Sequence, residues 1–570
     1  MKQDETVRAH HRFWPKRSPH AIPPAESTLW HNLAFTAVRY PDRPAFMFFG
    51  RGISYSQLLD QAERVAGWLA REAGVTAGDR VLLMMQNSPQ FVVAFYAAMR
   101  LRAVVVPVNP MSRAHELAHY VTDPQARVAI VSAELIGELD AAQREIDEPA
   151  RIRRALVTAY ADAMLDVVEP GEAGPEAWDS WLHAEARLPA WASRWGDALV
   201  GEPMAAPYAG VAEDLVALCY TSGTTGLPKG CMHTHRTIGH NVYSAPAWFT
   251  MSAADVSLGV VPMFHITGML FVMHVPILLG ATVVLMARWD RELAGRLISR
   301  HRVTTWTNIP TMIIDLLGSP NLDDFDLTSL NYIGGGGAAM PHAVAARLKR
   351  WLGLDYAEGY GLTETAAPSH SNPPDAPKLQ CLGIPWIGTD ARIIDPDTMR
   401  EVEPGDSGEI VIHGPQVFVG YWQRPRETEE AFFELEGKRF FRTGDLGRVD
   451  EDGYFFITDR LKRMINASGF KVWPAEVENM LYHHPDIQEA CVIAATDPYR
   501  GETVKAVIVL KAGTGDRVDA DAIIAWARDE MAAYKVPRQI EFVDALPKSG
   551  SGKVLWRVLQ AREDERAVGG

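Results

Sequence analysis

The sequence predicts an α/β protein of at least two domains. A large N-terminal domain of stacked, mostly parallel sheets carries a β-rich subdomain, and a small C-terminal α+β domain follows. Three observations predict this. Strand-like and helix-like segments alternate through 79–132 and again through 256–341, and their strands are apolar throughout, as in parallel sheets covered by helices on both faces. From about residue 385 the pattern changes to short strands separated by turn residues. Finally, 570 residues are too many for a single hydrophobic core.

The elements follow in order. Residues 80–85 read as a strand. Ser88 is an N-cap and Pro89 takes the first helical position, so a helix runs to about Leu101. A strand at 104–108, a helix at 113–121 and a strand at 127–131 complete the first alternation. Residues 133–210 are irregular, rich in Ala, Glu and Trp, and suggest no chemistry. Apolar strands recur near 256–261, 281–285 and 303–306. Asn331-Tyr332-Ile333-Gly334-Gly335-Gly336-Gly337 reads as a strand running into a glycine loop, with a helix opening at Met340-Pro341. Short strands are expected at 391–394, 408–413, 447–449 and 454–457. The C-terminal region supplies strands at 490–494 and 505–510 and helices at 475–482 and 520–531. Ligands of such sheets bind beyond the carboxyl ends of the strands.

Bulk properties exclude some function classes. The formal net charge of −15 argues against general nucleic-acid binding, so an anionic substrate must be met by local cations and backbone donors. Cys219, Cys231, Cys381 and Cys491 are far apart in sequence, with no metal spacing or disulfide framework; they read as small buried residues in a reducing compartment. The N-terminus lacks an apolar leader core. The longest apolar stretch, 91–110, is broken by Arg100 and Arg102, so no integral membrane segment is expected. A cytoplasmic protein follows, and a homodimer is left open. Phe13-Trp14-Pro15-Lys16-Arg17 is expected to pack on the first domain.

The most informative segment is Tyr220-Thr221-Ser222-Gly223-Thr224-Thr225-Gly226-Leu227-Pro228-Lys229-Gly230, directly after the apolar run 215–219. A buried strand feeds a donor-rich loop. Glycines let backbone approach an anion, hydroxyls and N–H groups donate to phosphate oxygens, and Lys229 adds positive charge. The Gly-Lys-Ser/Thr ending of a Walker A loop is absent.

This loop resembles the phosphate-binding signature of the adenylate-forming enzymes, which include acyl-CoA synthetases, firefly luciferase and peptide-synthetase adenylation domains. Three further matches stand in the family's order: Tyr360-Gly361-Leu362-Thr363-Glu364-Thr365, Arg442-Thr443-Gly444-Asp445-Leu446-Gly447 and Lys548-Ser549-Gly550-Ser551-Gly552-Lys553. The resemblance runs from about Leu29 to about Leu559. It implies that ATP and a small-molecule carboxylic acid are joined as acyl-AMP, and that coenzyme A then displaces AMP. Oxide is a poor leaving group, and joining two anions requires cations, donors and in-line geometry around the phosphates.

The resemblance also implies roles. Thr221, Ser222, Gly223, Thr224, Thr225, Gly226 and Lys229 would hold the β- and γ-phosphates. Thr221 and Glu364 would meet Mg2+, a hard cation that bridges phosphate oxygens. Gly336, Ala338 and Ala339, with Glu358, Gly359, Tyr360, Gly361 and Thr363, would bind the nucleotide, its adenine lying at the glycine run and flanked by Tyr360. Asp445 would take the ribose hydroxyls, joined by Arg460. His265 would border the carboxylate and the acyl tunnel. Some long-chain members carry a gating Trp four residues after this His, where Met269 stands here.

Lys553 would neutralise the α-phosphate and carboxylate oxygens as they meet. The family hinges its small, mobile domain near Asp459-Arg460-Leu461-Lys462-Arg463. This puts the hinge at Lys462 and the domains at 1–459 and 460–570. After rotation, Ser468, Gly469 and Lys471 would complete a coenzyme A face. The acid is expected to be a medium- to long-chain fatty acid, because the glycine run 334–337 brings no side chain to plug a tunnel lined by His265, Ile309 and Met312. Aryl or other substituted acids are the alternative. A luciferase-like oxygenase and a carrier-protein-loading adenylation enzyme are the more distant ones.

Overall fold

A computed structural model describes residues 8–221, 228–337, 339–460, 463, 465–467, 470–472, 474–497, 501–511, 513–514, 518–531, 535–548 and 554–569. The chain forms two compact units. One comprises Met1–Asp390 with Ile412–Phe441, the other Ala391–Val411 with Arg442–Gly570.

Two sheets organise the first unit. A seven-stranded sheet runs in the order Ala192–Arg194, Arg154–Thr158, Val128–Ser132, Arg80–Met84, Val104–Pro107, Leu215–Thr221 and Lys229–Thr234. It is parallel except at the last pair, where Leu215–Thr221 and Lys229–Thr234 are antiparallel. Val128–Ser132 is buried at each position, which is why its sequence is apolar without alternation. The Ser88 hydroxyl accepts from the Phe91 N–H and starts helix Pro89–Arg100, which is buried along its whole length. The segment between them ties the sheet to its neighbour: Asn87 Nδ2 donates to the Val261 carbonyl at 3.1 Å, and Asn87 Oδ1 accepts from the Met263 N–H at 2.8 Å.

The second sheet has nine strands, in the order Ile384–Pro385, Ala367–Ser371, Ala357–Leu362, Tyr332–Gly336, Thr305–Asn308, Val256–Gly259, Thr282–Leu285, Pro44–Phe48 and Arg51–Ser54. Its centre is parallel and its margins antiparallel. The glycine run is therefore mostly strand, not loop. Gly334, Gly335 and Gly336 pair with Ala357, Glu358 and Gly359, and a Cβ at Gly335 or Gly336 would run into the backbone of the adjacent strand. The Phe13–Arg17 segment packs as expected: the Trp14 ring stacks on His20 with centroids 4.6 Å apart and meets Trp248 edge-on at 5.1 Å.

The second unit contains a sheet in which Gly501–Leu510 pairs with Ile487–Asp497 on one side. On its other side lie Gln539–Phe542 and Ile465–Ala467, the latter extended by Phe470–Val472. Helices Pro474–Leu481 and Ala520–Glu530 pack on it around Val477, Leu481, Val492, Ile508 and Ile523. In another sheet, strand Phe455–Arg460 pairs with Lys438–Val449 and sets Asp445 opposite Arg460 and Val449 opposite Phe455. Gly444 and Asp445 lie within strand Lys438–Val449. Among the described residues, no helix is long and apolar enough to cross a membrane.

Candidate active site

The phosphate-loop signature is flanked by two paired strands. Thr221 ends one and Lys229 begins the other, and the two are partners in register. Lys229 is thus a strand residue, held by the ladder, and not the tail of a loop. Ser222, Gly223, Thr224, Thr225 and Gly226 lie outside the described residues. Two steps below, Cys219 stands directly opposite Cys231, so these cysteines are neighbours despite their separation in sequence. All four cysteines are buried free thiols, and burial raises the Cys219 thiol to about 12.

A third segment docks onto Lys229–Thr234. The Trp422 N–H donates to the Gly230 carbonyl, the Met232 N–H to the Gly420 carbonyl and the Val419 N–H to the Met232 carbonyl, at 2.8, 2.9 and 3.0 Å. Asp123 fixes this arrangement from the side. Its carboxylate accepts from Tyr220 Oη at 2.6 Å and pairs with Arg424 at 2.7 Å, and its carbonyl accepts from Trp422 Nε1 at 3.2 Å. The result brings Tyr421 to the strand pair. Its hydroxyl donates to Glu364 Oε1 at 2.8 Å, and the Lys229 ammonium lies 5.0 Å from its ring centroid. Thr221, Lys229, Tyr421 and Glu364 are thereby linked neighbour to neighbour.

Sequence reasoning missed Tyr421, though Gly420-Tyr421-Trp422 is an aromatic pair beside a glycine whose added Cβ would crowd Thr428. Glu364 sits on the short turn Thr363–Thr365, which His233 secures by donating Nε2–H to the Thr363 carbonyl at 2.7 Å. The Glu364 carbonyl accepts from the Phe418 N–H at 2.8 Å. Burial lowers the His233 pKa to about 4, so the ring stays neutral in this role.

The expected adenine residues also converge. Gly336 pairs with Gly359, and Tyr360 follows on the same strand, its ring 5.7 Å from that of His370. Gly361 presses against the backbone of Ala367 so closely that no Cβ fits. Ala339 is exposed, and Ala338 lies outside the described residues. Glu358 is 5 % exposed and turned inward: its carboxylate accepts from the Gln380 N–H at 2.6 Å and the Met340 N–H at 3.3 Å. It thus holds the exit of the glycine run. Burial outweighs these bonds and raises its pKa to about 7.

His265 caps the short helix Ile266–Gly268 in the segment clamped by Asn87. Its side chain is exposed, and desolvation by the protein around it lowers its pKa to about 4. Met269, at the gate position, is fully buried. The π-helical turn Met269–His274 instead brings Phe271 to a cavity with Phe249, Met251, Ser257, Leu258, Thr305, Thr307 and Tyr332. The opening expected beside the glycine run is therefore filled. A Cβ at Gly334 would stand 2.5 Å from the Tyr332 hydroxyl, so the Tyr332 side chain covers that glycine.

In the second unit, Asp445 is buried, opposite Arg460 in register. Glu409, unremarked in the sequence, holds their motif: Oε2 accepts from Arg442 at 2.7 Å and Oε1 from the Gly444 N–H at 3.0 Å. Gly444 takes φ +69°, a conformation that favours glycine. Lys471 belongs to strand Phe470–Val472. Lys462, Ser468, Gly469 and Lys553 lie outside the described residues.

Comparison with known proteins agrees with this geometry. The profile of the AMP-binding enzyme family matches residues 33–422, and that of the AMP-binding enzyme C-terminal domain matches 476–553. The chain is 35% identical to a long-chain-fatty-acid–CoA ligase of Bacillus subtilis, across 97% of both chains. It is 34% identical to a feruloyl-CoA synthase of Amycolatopsis, across 95% of this chain and 96% of the other. Among solved structures, ATP-bound MatB from Rhodopseudomonas palustris superposes with a TM-score of 0.80 at 28% identity, covering 94% of this chain and 99% of that one. With its paired strands around the phosphate-loop signature, its Tyr-Gly-Leu-Thr-Glu turn and these relatives along nearly its whole length, the chain belongs to the AMP-binding enzyme family, as an AMP-forming acid–thiol ligase of the acyl-CoA synthetase type.

Proposed function

We propose that this ligase acts on a medium- to long-chain fatty acid, converting it with ATP to acyl-AMP and then with coenzyme A to acyl-CoA. The observation that carries the reading is the junction of Thr221, Lys229, Tyr421 and Glu364. The similarity to a fatty-acid–CoA ligase supports the choice of acid. Aryl acids are the second reading, favoured by the aromatic lining of Phe249, Phe271 and Tyr332 and by the similarity to a feruloyl-CoA synthase.

In this reading Thr221 and Glu364 meet Mg2+. Both offer hard oxygen donors, which suits an ion that keeps several waters and is completed by substrate phosphates. When bound, the ion would neutralise phosphate charge; Lys229 would add a second cation, and Asp445 with Arg460 would take the ribose. Residues 1–459 form the adenylating domain and 460–570 the domain that turns about Lys462. Lys553 then serves adenylation, and Ser468, Gly469 and Lys471 the thioester step. The cytoplasm is the compartment that supplies ATP and coenzyme A together.

AMP release measured across C2–C18 and aryl acids, with and without coenzyme A, tests the reading. Release should depend on both acid and thiol and should rise with each added methylene, by about fourfold for an apolar site, until the chain fills it. A flat or falling profile would reject the fatty acid.

A further inference from the structure

Residues 332, 334 and 336 of strand Tyr332–Gly336 lie on one sheet face, because side chains alternate along a strand. Gly334 and Gly336 put no side chain on this face between the expected adenine loop and Tyr332. The hydroxyl and Cζ of Tyr332 stand 2.5 and 2.9 Å from where a Cβ of Gly334 would be, so the ring leans along its own strand and lies over the glycine.

The surroundings make this ring a stop. Ser257 and Thr305 stand beside Tyr332 in register, and their hydroxyls bond each other at 2.7 Å, which leaves a floor with its polar atoms satisfied. Phe249 packs on Tyr332 with centroids 4.7 Å apart, and Phe271 packs on Phe249 at 6.1 Å. The free volume remaining between them is about 10 Å³, room for one water. One strand step of two residues, about 7 Å, separates the Gly336 level from the ring. Backbone on the neighbouring strands closes the alternatives: the Ala357 carbonyl is itself 2.5 Å from a Gly334 Cβ, so the sheet cannot yield, whereas a side chain can turn about χ1.

We propose that Tyr332 is the specificity-determining residue that sets acyl length, with Phe249 and Phe271 as its backing. Acids that end above Gly334 bind with the ring in place. Longer chains must displace it into a space already filled by aromatic side chains. This rests on the acyl-CoA ligase reading given above and goes further by naming the side chain that ends the acid site.

The test is the kcat/KM profile for saturated acids from C6 to C18 in the full-length wild type, Tyr332→Ala and Tyr332→Phe, each with ATP, Mg2+ and coenzyme A. In Tyr332→Ala the optimum should move to longer acids, and the C16-to-C8 ratio should rise at least tenfold, given about fourfold per extra buried methylene. Tyr332→Phe, which lacks the hydroxyl over Gly334 but keeps the ring, should move it by less. A general loss of structure would lower all acids alike and leave the ratio unchanged. Should Tyr332→Ala lose the circular-dichroism signature of the wild type, Tyr332→Leu decides by the same ratio. An unshifted ratio in a folded variant of an active enzyme overturns the length stop alone. No acid-dependent AMP release by the wild type overturns the ligase reading and the stop with it.

Discussion

The hydroxyl of Tyr421 donates to Oε1 of Glu364 at 2.8 Å. Neither residue is near the other in sequence. They meet because Asp123 and the Lys229–Thr234 strand fix the 419–424 segment, and because the Phe418 N–H binds the Glu364 carbonyl. Burial, then the Glu364 charge, pushes the Tyr421 phenol far above its ordinary range, so it remains a donor at every physiological pH. The Glu364 carboxylate is thereby aimed before any ligand arrives, and the same ring faces the Lys229 ammonium.

Tyr421→Phe removes that donor and keeps the ring. A hydrogen bond to a charged group contributes about 1.5–3 kcal/mol, so pyrophosphate release should fall roughly ten- to a hundredfold. The Mg2+ concentration at half-maximal rate should rise. An unchanged Mg2+ response would show that Tyr421 does not act through Glu364.

Glu364→Gln keeps the size of the side chain and its partner Tyr421 but removes the charge that an Mg2+–phosphate centre requires. We expect a large fall in kcat with near-wild-type circular dichroism. A variant whose rate still titrates with Mg2+ as the wild type does would remove Glu364 from the metal site.

Much of this was legible in the sequence, for reasons that differ by element. The parallel sheet was readable because strands such as Val128–Ser132 are buried on both faces and so carry no alternation. The helix at Pro89–Arg100 announced itself through Ser88 and Pro89. The site motifs were readable where function compresses several residues into one stretch. Tyr421, Asp123 and Glu409 were not, because each acts through partners distant in the chain. Asp123 bonds residues 97 and 301 positions away. Tyr332 was passed over because glycines suggest empty space, and whether a neighbour fills it is decided by the lean of one ring. A glycine run in isolation signals a turn, but Gly334–Gly336 form strand, because here the glycines answer to close approach of adjacent strands.

Histidines set the acid limit of stability. His10, His233, His235, His240, His274 and His370 are buried, and desolvation lowers each pKa, to about 3 or 4 in five of them. The unfolded chain binds these protons near pH 6.5 and the folded one does not. Their contribution is therefore complete above pH 6.5 and is lost as pH falls toward 4, each by up to about 1.4 kcal/mol per pH unit. Glu358, raised to about 7, and Glu63 and Glu134, also raised by burial, have the opposite sign and favour the fold at lower pH. The midpoint of urea unfolding should drop steeply between pH 6.5 and 4.5. A midpoint that stays level across that window would mean that these rings accept protons without unfolding.

The last prediction separates the two half-reactions. If Lys553 neutralises the α-phosphate and carboxylate oxygens only while the anhydride forms, Lys553→Ala should lose acyl-AMP formation by about 2.7–4 kcal/mol, on the scale of removing one oxyanion donor. It should still convert supplied acyl-AMP and coenzyme A to thioester at close to the wild-type rate. Lys462→Pro supplies the complementary case. Proline fixes φ near −65°, so a hinge that needs two backbone conformations would keep one half-reaction and lose most of the other. The pair of variants discriminates because each predicts an unequal loss, and a general defect in folding or substrate binding would depress both steps together. Equal loss of both half-reactions in Lys553→Ala, with circular dichroism unchanged, would remove Lys553 from the adenylation step. Equal loss in Lys462→Pro would move the hinge elsewhere.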